Sequence, residues 1–343
     1  MSTKRPIASL SLDLDNKWSY LKIHGEESWK EHPTYLPLAI PRILEILAEE
    51  DLKITFFVVG QDAADPRNQP VLKAIADAGH EIGNHSYDHE SWLHLHSEAE
   101  IRDELLRAHQ TIESVTGFSP KGFRGPGFSV SETVLKVVRE LGYDYDCSTW
   151  PTFIGPLARA YYMRTGEFSE EQHEDRAQLF GKFSEGFRPL GAYRFTGAAR
   201  GLIEVPVSTL PVFRLPVHIS YLLYLRGVSE GLSNLYFQAA MQWFRLFRTP
   251  PSLLLHTLDF LGGDDERDLG FFPAMNVSGA EKVRFVRGIL RALKRQFDVV
   301  PMGEHVQHVI RQPLKSITPK FDDSEAPSRQ ANDSSGQPLR HQA

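Results

Sequence analysis

Two short stretches carry residues whose types and spacing suit chemistry: Asp13-Leu14-Asp15 and His85-Ser86-Tyr87-Asp88-His89. In an extended segment, positions i and i+2 share a face, so Asp13 and Asp15 project together from the end of an apolar run. Two histidines at i and i+4 share one face of a helical turn, which is what metal chelation asks for. Each stretch alone has an ordinary reading, as a solvated strand end or helix cap and as a surface coincidence. Taken together they offer one carboxylate and two imidazoles as metal ligands. Three protein ligands leave positions open for water and substrate, as in a catalytic rather than a structural site. The second aspartate is then a candidate general base. The same donors also make the facial triad of non-haem iron(II) oxygenases, which usually sits on antiparallel β folds.

These residues must be carried by something rigid. The apolar run Ile7–Leu14 reads as a strand, and residues 36–50 repeat their apolar side chains at helical spacing. Ile54–Val59 reads as a strand, followed by a helix face at Val71, Leu72, Ile75 and Ala76 that stops at Gly79. A strand over His80–Gly83 leads into the first histidine. Ser97 with Glu100 is a capping box opening a helix to about Thr116, with Gly117 as its C-cap. A strand end at Lys121–Phe123, a helix over Ser131–Leu141 closed by Gly142, and a strand over Tyr143–Asp146 follow. From about Phe153 to Pro250 the rhythm breaks, with one clear strand at Leu202–Val207 among irregular and amphipathic pieces. It resumes with a strand at Ser252–His256, a long helix over Ser278–Phe297, a strand at Val299–Val300 and a short helix at Glu304–Ile310. The β-α-β-α order predicts an α/β fold with a largely parallel sheet, as a barrel or a doubly wound sheet. Ligand sites in both lie at the C-terminal strand ends, where Asp13, Asp15 and His85 fall.

At this point the sequence resembles a known family. Asp13-Leu14-Asp15, His85-Ser86-Tyr87-Asp88-His89, Arg124-Gly125-Pro126-Gly127-Phe128, Tyr145-Asp146-Cys147-Ser148 and Leu254-Leu255-His256 occur in the order of the motifs of the polysaccharide deacetylases (NodB homology, carbohydrate esterase family 4). The Asp-x-Asp spacing is similar to an intracellular branch that includes some cytoplasmic amidases and the deformylase of undecaprenyl-phosphate-linked aminoarabinose. The resemblance implies a distorted (β/α) barrel of fewer than eight strands. It implies Asp15, His85 and His89 as metal ligands and Asp13 as the base that takes a proton from water on the metal. Arg124 would hold Asp13 charged through a bidentate ion pair, His256 would protonate the leaving amine, and Asp146 would orient His256. Zinc is the default metal for hydrolysis, with manganese, iron or cobalt fitting the same ligands. For His256, flanked by leucines, the alternative is a core histidine. His80, His94, His96 and His109 read as structural or surface residues.

Composition bounds the rest. The chain has 343 residues, 41% hydrophobic and 24% charged, with a formal net charge of −6 and 1 Cys. One cysteine excludes an internal disulfide framework and a Cys-rich zinc module, and the acidic balance argues against a nucleic-acid binder. No signal peptide and no span of about 18 uncharged apolar residues is evident, so the expected location is the cytoplasm. The length divides into a barrel over 1–152 and 251–315, an insertion over 153–250 that caps the substrate site, and a disordered tail over 316–343 rich in Ser, Pro, Asp and Gln. Residues 188–248 hold seven arginines and two acids, a net +5 within an acidic chain, mixed with many aromatics. Arginine suits phosphate and aromatics settle at membrane interfaces, although a helical cap rimmed by arginines accounts for the same composition. The expected partner is an amino-sugar substrate that is polyprenyl-phosphate- or lipid-linked, with peripheral contact at the inner membrane face through residues 188–248. The leading reading is thus a metal-dependent deacetylase or deformylase. A cytoplasmic amidase of small amides or ureides and a non-catalytic glycan- or lipid-binding protein are the alternatives.

Overall fold

The computed structural model describes residues 5–155 and 183–321. Its centre is β1 (Ile7–Asp13), which is buried along almost its whole length. The alternation in this strand divides the labour. Ala8, Leu10 and Leu12 join the main apolar core, while Ser9, Ser11 and Asp13 make polar contacts with His305 and Arg124. A strand buried on both faces is what a helix-covered parallel sheet requires.

Six further strands complete the parallel path: β2 (Thr55–Val58), β3 (Glu81–Asn84), β4 (Gly122–Phe123), β5 (Tyr145–Asp146), β7 (Ile203–Glu204) and β8 (Ser252–His256). Their order is β7-β5-β4-β3-β2-β1-β8, every neighbouring pair parallel. The two ends of this path meet just beyond β7, where the Ser208 N–H donates to the Ser252 carbonyl at 2.9 Å. The result is a seven-strand, distorted parallel barrel, in line with fewer than eight. Three short strands are appended. β6 (Tyr193–Phe195) runs antiparallel to β7, β9 (Asp298–Val300) pairs with the start of β1, and β10 (Ser316–Ile317) pairs with β6. The tail expected to be loose from Ser316 therefore first adds a strand, and the remainder of that expectation, 322–343, lies outside the described residues.

Helices cover the outside. α2 (Leu36–Glu49), α4 (Gln69–Asp77), α5 (Glu98–Thr116), α6 (Glu132–Glu140), α9 (Gly279–Gln296) and α10 (Met302–Val309) fall where the periodicity places them. The Ser97/Glu100 capping box forms, and Gly117 ends α5 in the left-handed region at φ 76°. Two helices fall where no helix was expected: α1 (Lys17–His24), capped by the Asn16 side chain, and α3 (Gly60–Ala64). Between β7 and β8, the amphipathic pieces resolve into α7 (Ile219–Val228) and α8 (Glu230–Leu246), which pack on each other and on α9. No helix among the described residues is long and apolar enough to cross a membrane.

Candidate active site at the C-terminal strand ends

Asp13 closes β1, and Asp15 follows two residues later in the loop to α1; both are buried. One oxygen of Asp15 lies 3.0 Å from His89 Nε2 and 3.3 Å from His85 Nε2. Asp13 is 4.0 Å from His85 Nε2 on its other side. Asp15, His85 and His89 are the only trio of metal-ligating side chains brought together among the described residues. The donor set fits a cation. Ligands at about 2.0–2.1 Å from a tetrahedral zinc lie about 3.3 Å apart, close to the spacings around Asp15. The His85 Nδ1 sits 2.6 Å from the Arg124 carbonyl. Nδ1 must therefore carry a proton, which leaves Nε2 as the nitrogen turned toward Asp15. The imidazoles beside Asp15 hold its carboxyl well below the usual range against the opposing effect of burial.

The two histidines do not sit on a helical turn. Residues 85–89 form a loop in which Ser86 and His89 adopt left-handed backbone, φ 61° and φ 47°. Such residues are costly and persist where their surroundings fix them. Here the fixing group is Glu104 of α5, which accepts from the Tyr87 and Asp88 amides at 2.9 and 2.6 Å. The Ser86 carbonyl accepts from the Gly60 amide at the start of α3, and the Lys22 ammonium donates to the Asp88 carbonyl. Asp15 is steadied from α3 as well. Asp62 accepts from Asn16 and Trp18 at 2.7 and 2.9 Å, and the Trp18 indole packs edge-on against His89. Burial pushes the Asp62 carboxyl up to about 7. Glu104 and Asp62 escape a reading by motif because each lies on a helix remote in sequence from the residue it positions.

Arg124, fully buried at the end of β4, reaches Asp13 with Nη1 at 2.6 Å. The pairing is single rather than bidentate. Nη1 also donates to Ser11 Oγ, Nε donates to the Cys147 carbonyl, and the guanidinium lies over the Phe57 ring at 4.3 Å. Those contacts turn the fork so that Nη2 has no partner among the described residues. Gly125 is required next, because a Cβ there would meet the Ser129 carbonyl oxygen at 2.0 Å.

Asp146 does not orient His256. Its oxygens accept from the Ser148 amide and hydroxyl at 2.9 and 2.7 Å, and Ser148 Oγ in turn accepts from the Gly125 amide. Asp146 thus anchors the loop that follows Arg124. Glu204 stands directly opposite Asp146 in the β5–β7 ladder. Burial, with the second carboxylate beside it, pushes Glu204 well above the usual range, and its Oε1 accepts from the Thr149 amide and hydroxyl.

His256 ends β8, paired in register with Asp13 across the β1–β8 ladder. Its neighbours come from the 183–250 segment. Ser220 Oγ lies 2.9 Å from Nδ1, and the His218 ring is 6.2 Å away, edge to face. Burial next to His256 lowers His218 to about 3, so it stays neutral. His218 packs edge-on against Trp150, which stacks on Phe128, making an aromatic wall beside the acid–base residues. Three of the other histidines make structural contacts. His80 accepts from the Ile54 amide, His94 meets Ser129, and His109 bridges Tyr143 and Ser119.

The polysaccharide deacetylase family model matches residues 32–145, which hold the His85/His89 pair and Arg124. Over these residues the chain matches the polysaccharide deacetylase family. It is 32% identical over 210 residues to a Helicobacter pylori peptidoglycan deacetylase, covering 60% of this chain and 66% of that protein. It is 33% identical over 103 residues to a peptidoglycan-N-acetylglucosamine deacetylase of Bacillus cereus, covering 30% and 36%. The chain thus spans just under two thirds of the first relative's length and about a third of the second's. Among solved structures, a Mycobacterium smegmatis protein classed with the polysaccharide deacetylases superposes with a TM-score of 0.58 at 20% identity, covering 94% of this chain and 96% of that one. The Puue allantoinase superposes with a TM-score of 0.52 at 17% identity, covering 90% and 91%. These two likenesses support the distorted barrel.

Proposed function

We propose that this chain is a metal-dependent hydrolase that removes an N-acyl group, acetyl or formyl, from an amino sugar. The observation that carries this reading is the meeting of both histidine Nε2 atoms on one Asp15 oxygen, with Asp13 alongside. A divalent cation held there by Asp15, His85 and His89 would act as a Lewis acid toward the attacking water and the acyl oxygen. Zinc suits two imidazoles and a carboxylate, and manganese, iron or cobalt fit the same donors.

Every other role falls to the chain's own residues. Asp13, oriented by Arg124, takes the proton from the attacking water. His256, on the adjacent strand, delivers a proton to the departing amine nitrogen. Each transfer is of a kind that contributes about 10²–10⁴-fold. The Phe128–Trp150 wall offers the sugar ring an apolar face.

The proposed substrate is lipid-linked or a glycolipid, met at the cytoplasmic face of a membrane. Phe187, Val228, Leu235 and Leu246 are 68–75% exposed, in the segment that also carries the seven arginines. That combination suits an anionic, amphiphilic surface. The expected division into a barrel over 1–152 and 251–315 and an insertion over 153–250 is corrected by β7, which the barrel takes from within 153–250; in this reading the rest of that segment lines the substrate site. The test is acetate or formate release from lipid extracts and from soluble N-acetylated amino sugars, with co-sedimentation on anionic vesicles. Release from the lipid fraction together with vesicle binding supports the full reading. No vesicle binding with full activity on soluble sugars overturns the lipid linkage, and no release from any N-acyl amino sugar overturns the reading itself.

A further inference from the structure

Ser220 occupies the second position of α7, and its hydroxyl touches two groups. It lies 2.9 Å from His256 Nδ1 and close to the carboxylate of Asp259, whose ionised form it favours. Asp259 is buried three residues beyond His256 and accepts the His256 backbone amide at 2.8 Å. A serine hydroxyl has one proton to give. An ionised carboxylate only accepts, so the Ser220 proton goes to Asp259. Its oxygen must then accept from His256, which requires the proton on Nδ1 and leaves Nε2 free.

We propose that Ser220, with Asp259 behind it, is the positioning residue that fixes the tautomer and ring orientation of His256. This rests on the deacylase reading above, in which Nε2 of His256 carries the proton to the leaving amine. The chain of hydrogen bonds runs His256 Nδ1–H to Ser220 Oγ, and Ser220 O–H to Asp259. When His256 gains a second proton it goes to Nε2, the nitrogen not engaged by Ser220. The relay joins two parts of the chain. Asp259 belongs to the barrel loop after β8, whereas Ser220 comes from the 183–250 segment. Two neighbours bear on its charge. His218, adjacent to Ser220, is neutral because burial lowers it to about 3. Burial raises the Asp259 carboxyl from its ordinary range, opposed by its contacts with His256 and Ser220 and by the charge of Lys282 of α9, which donates to the Leu258 carbonyl. A hydroxyl between imidazole and carboxylate also makes this site sensitive to how α7 docks, because a shift of about 1 Å at α7 would break the Nδ1 contact.

Two measurements test the proposal independently of one another. Long-range ¹H–¹⁵N correlation spectra of histidine-labelled protein, with His256 assigned by loss of its signal in His256→Gln, need no substrate. The expected result is His256 as the Nδ1–H tautomer in the wild type, and loss of that preference in Ser220→Ala. An Nε2–H tautomer in the wild type overturns the proposal. The second measurement compares an N-acetyl amino sugar with 4-nitrophenyl acetate, whose phenolate leaves without needing a proton. Ser220→Ala should lower kcat on the amide roughly 10–100-fold and leave the ester rate within about twofold, while Ser220→Thr restores the amide rate. Equal losses on both substrates, or no rescue by threonine, overturn the positioning role. A wild type that cleaves the ester but no N-acyl sugar overturns the deacylase reading, and the spectra then decide the relay alone.

Discussion

Around Asp13, Asp15, His85, His89 and Arg124, the site is assembled from the ends of β1, β3 and β4 and held by buried charge. Arg124 is tied at Nε and Nη1, and Glu104 pins two amides of the histidine loop. Around His256 the supports come from two segments: Asp259 of its own loop on the backbone amide, and from elsewhere a serine at a helix start, an uncharged histidine and two stacked aromatics. The first region is determined by parallel β1, β3 and β4 standing side by side around β2. The second depends on where α7 docks against β8. A barrel edge is thus suited to fix charges that must not move, and an added segment is suited to shape what surrounds the proton donor and the substrate.

This contrast can be broken or sharpened by substitution, beginning with the barrel region. Replacing Asp13 with Asn removes the proposed base but no metal ligand. The expected outcome is a fall in kcat of about 10²–10⁴-fold with metal content unchanged by elemental analysis. Arg124→Met leaves Asp13 buried without its cation, which costs about 3–5 kcal/mol in urea unfolding. Arg245→Met, on the exposed surface of α8, should stay within about 0.5 kcal/mol of wild type. If the two substitutions cost the same, the distinction between the regions fails.

Asp62 gives a pH-dependent test. Its folded pKa of about 7 stands above the ordinary 3.8. Between those values the folded state keeps a proton that the unfolded state has lost, so wild-type stability falls as pH rises from about 4 to about 7. Above 7 the full cost of ionising the buried carboxyl is present, about 4 kcal/mol at 1.36 kcal/mol per unit. Asp62→Asn keeps the accepting oxygen and should lack this slope, so its advantage over wild type is greater at pH 8 than at pH 4. Parallel stability curves would show that Asp62 does not titrate in this window. The smallest effect belongs to the exposed face. Leu235→Asp with Leu246→Asp should weaken binding to anionic vesicles roughly tenfold, a change of about 1.4 kcal/mol, with hydrolysis of soluble substrates unchanged.

Much of the barrel region was legible in the sequence. The strands carrying Asp13, His85, Arg124 and His256 are short apolar runs in a β-α alternation, and a capping box marked α5. The helical turn expected at 85–89 failed because spacing alone does not show that Ser86 and His89 take left-handed backbone under the hold of Glu104. Asp146 follows the family order of motifs, yet hydrogen bonds from the Ser148 amide and hydroxyl turn it toward the Arg124 loop. Ser220 and His218 carried no local signal, since their meaning comes only from the docking of α7 beside His256. Long-range packing, absent from any window of sequence, decides such residues.

The central claim is that Asp15, His85 and His89 hold a divalent cation that serves amide hydrolysis. Elemental analysis of purified wild type and Asp15→Ala, coupled to acetate release from an N-acetylated amino sugar, tests it most directly. The account predicts about one equivalent of divalent metal per wild-type chain, with metal and acetate release lost together in the variant. Acetate release that persists in a metal-free Asp15→Ala protein would contradict it.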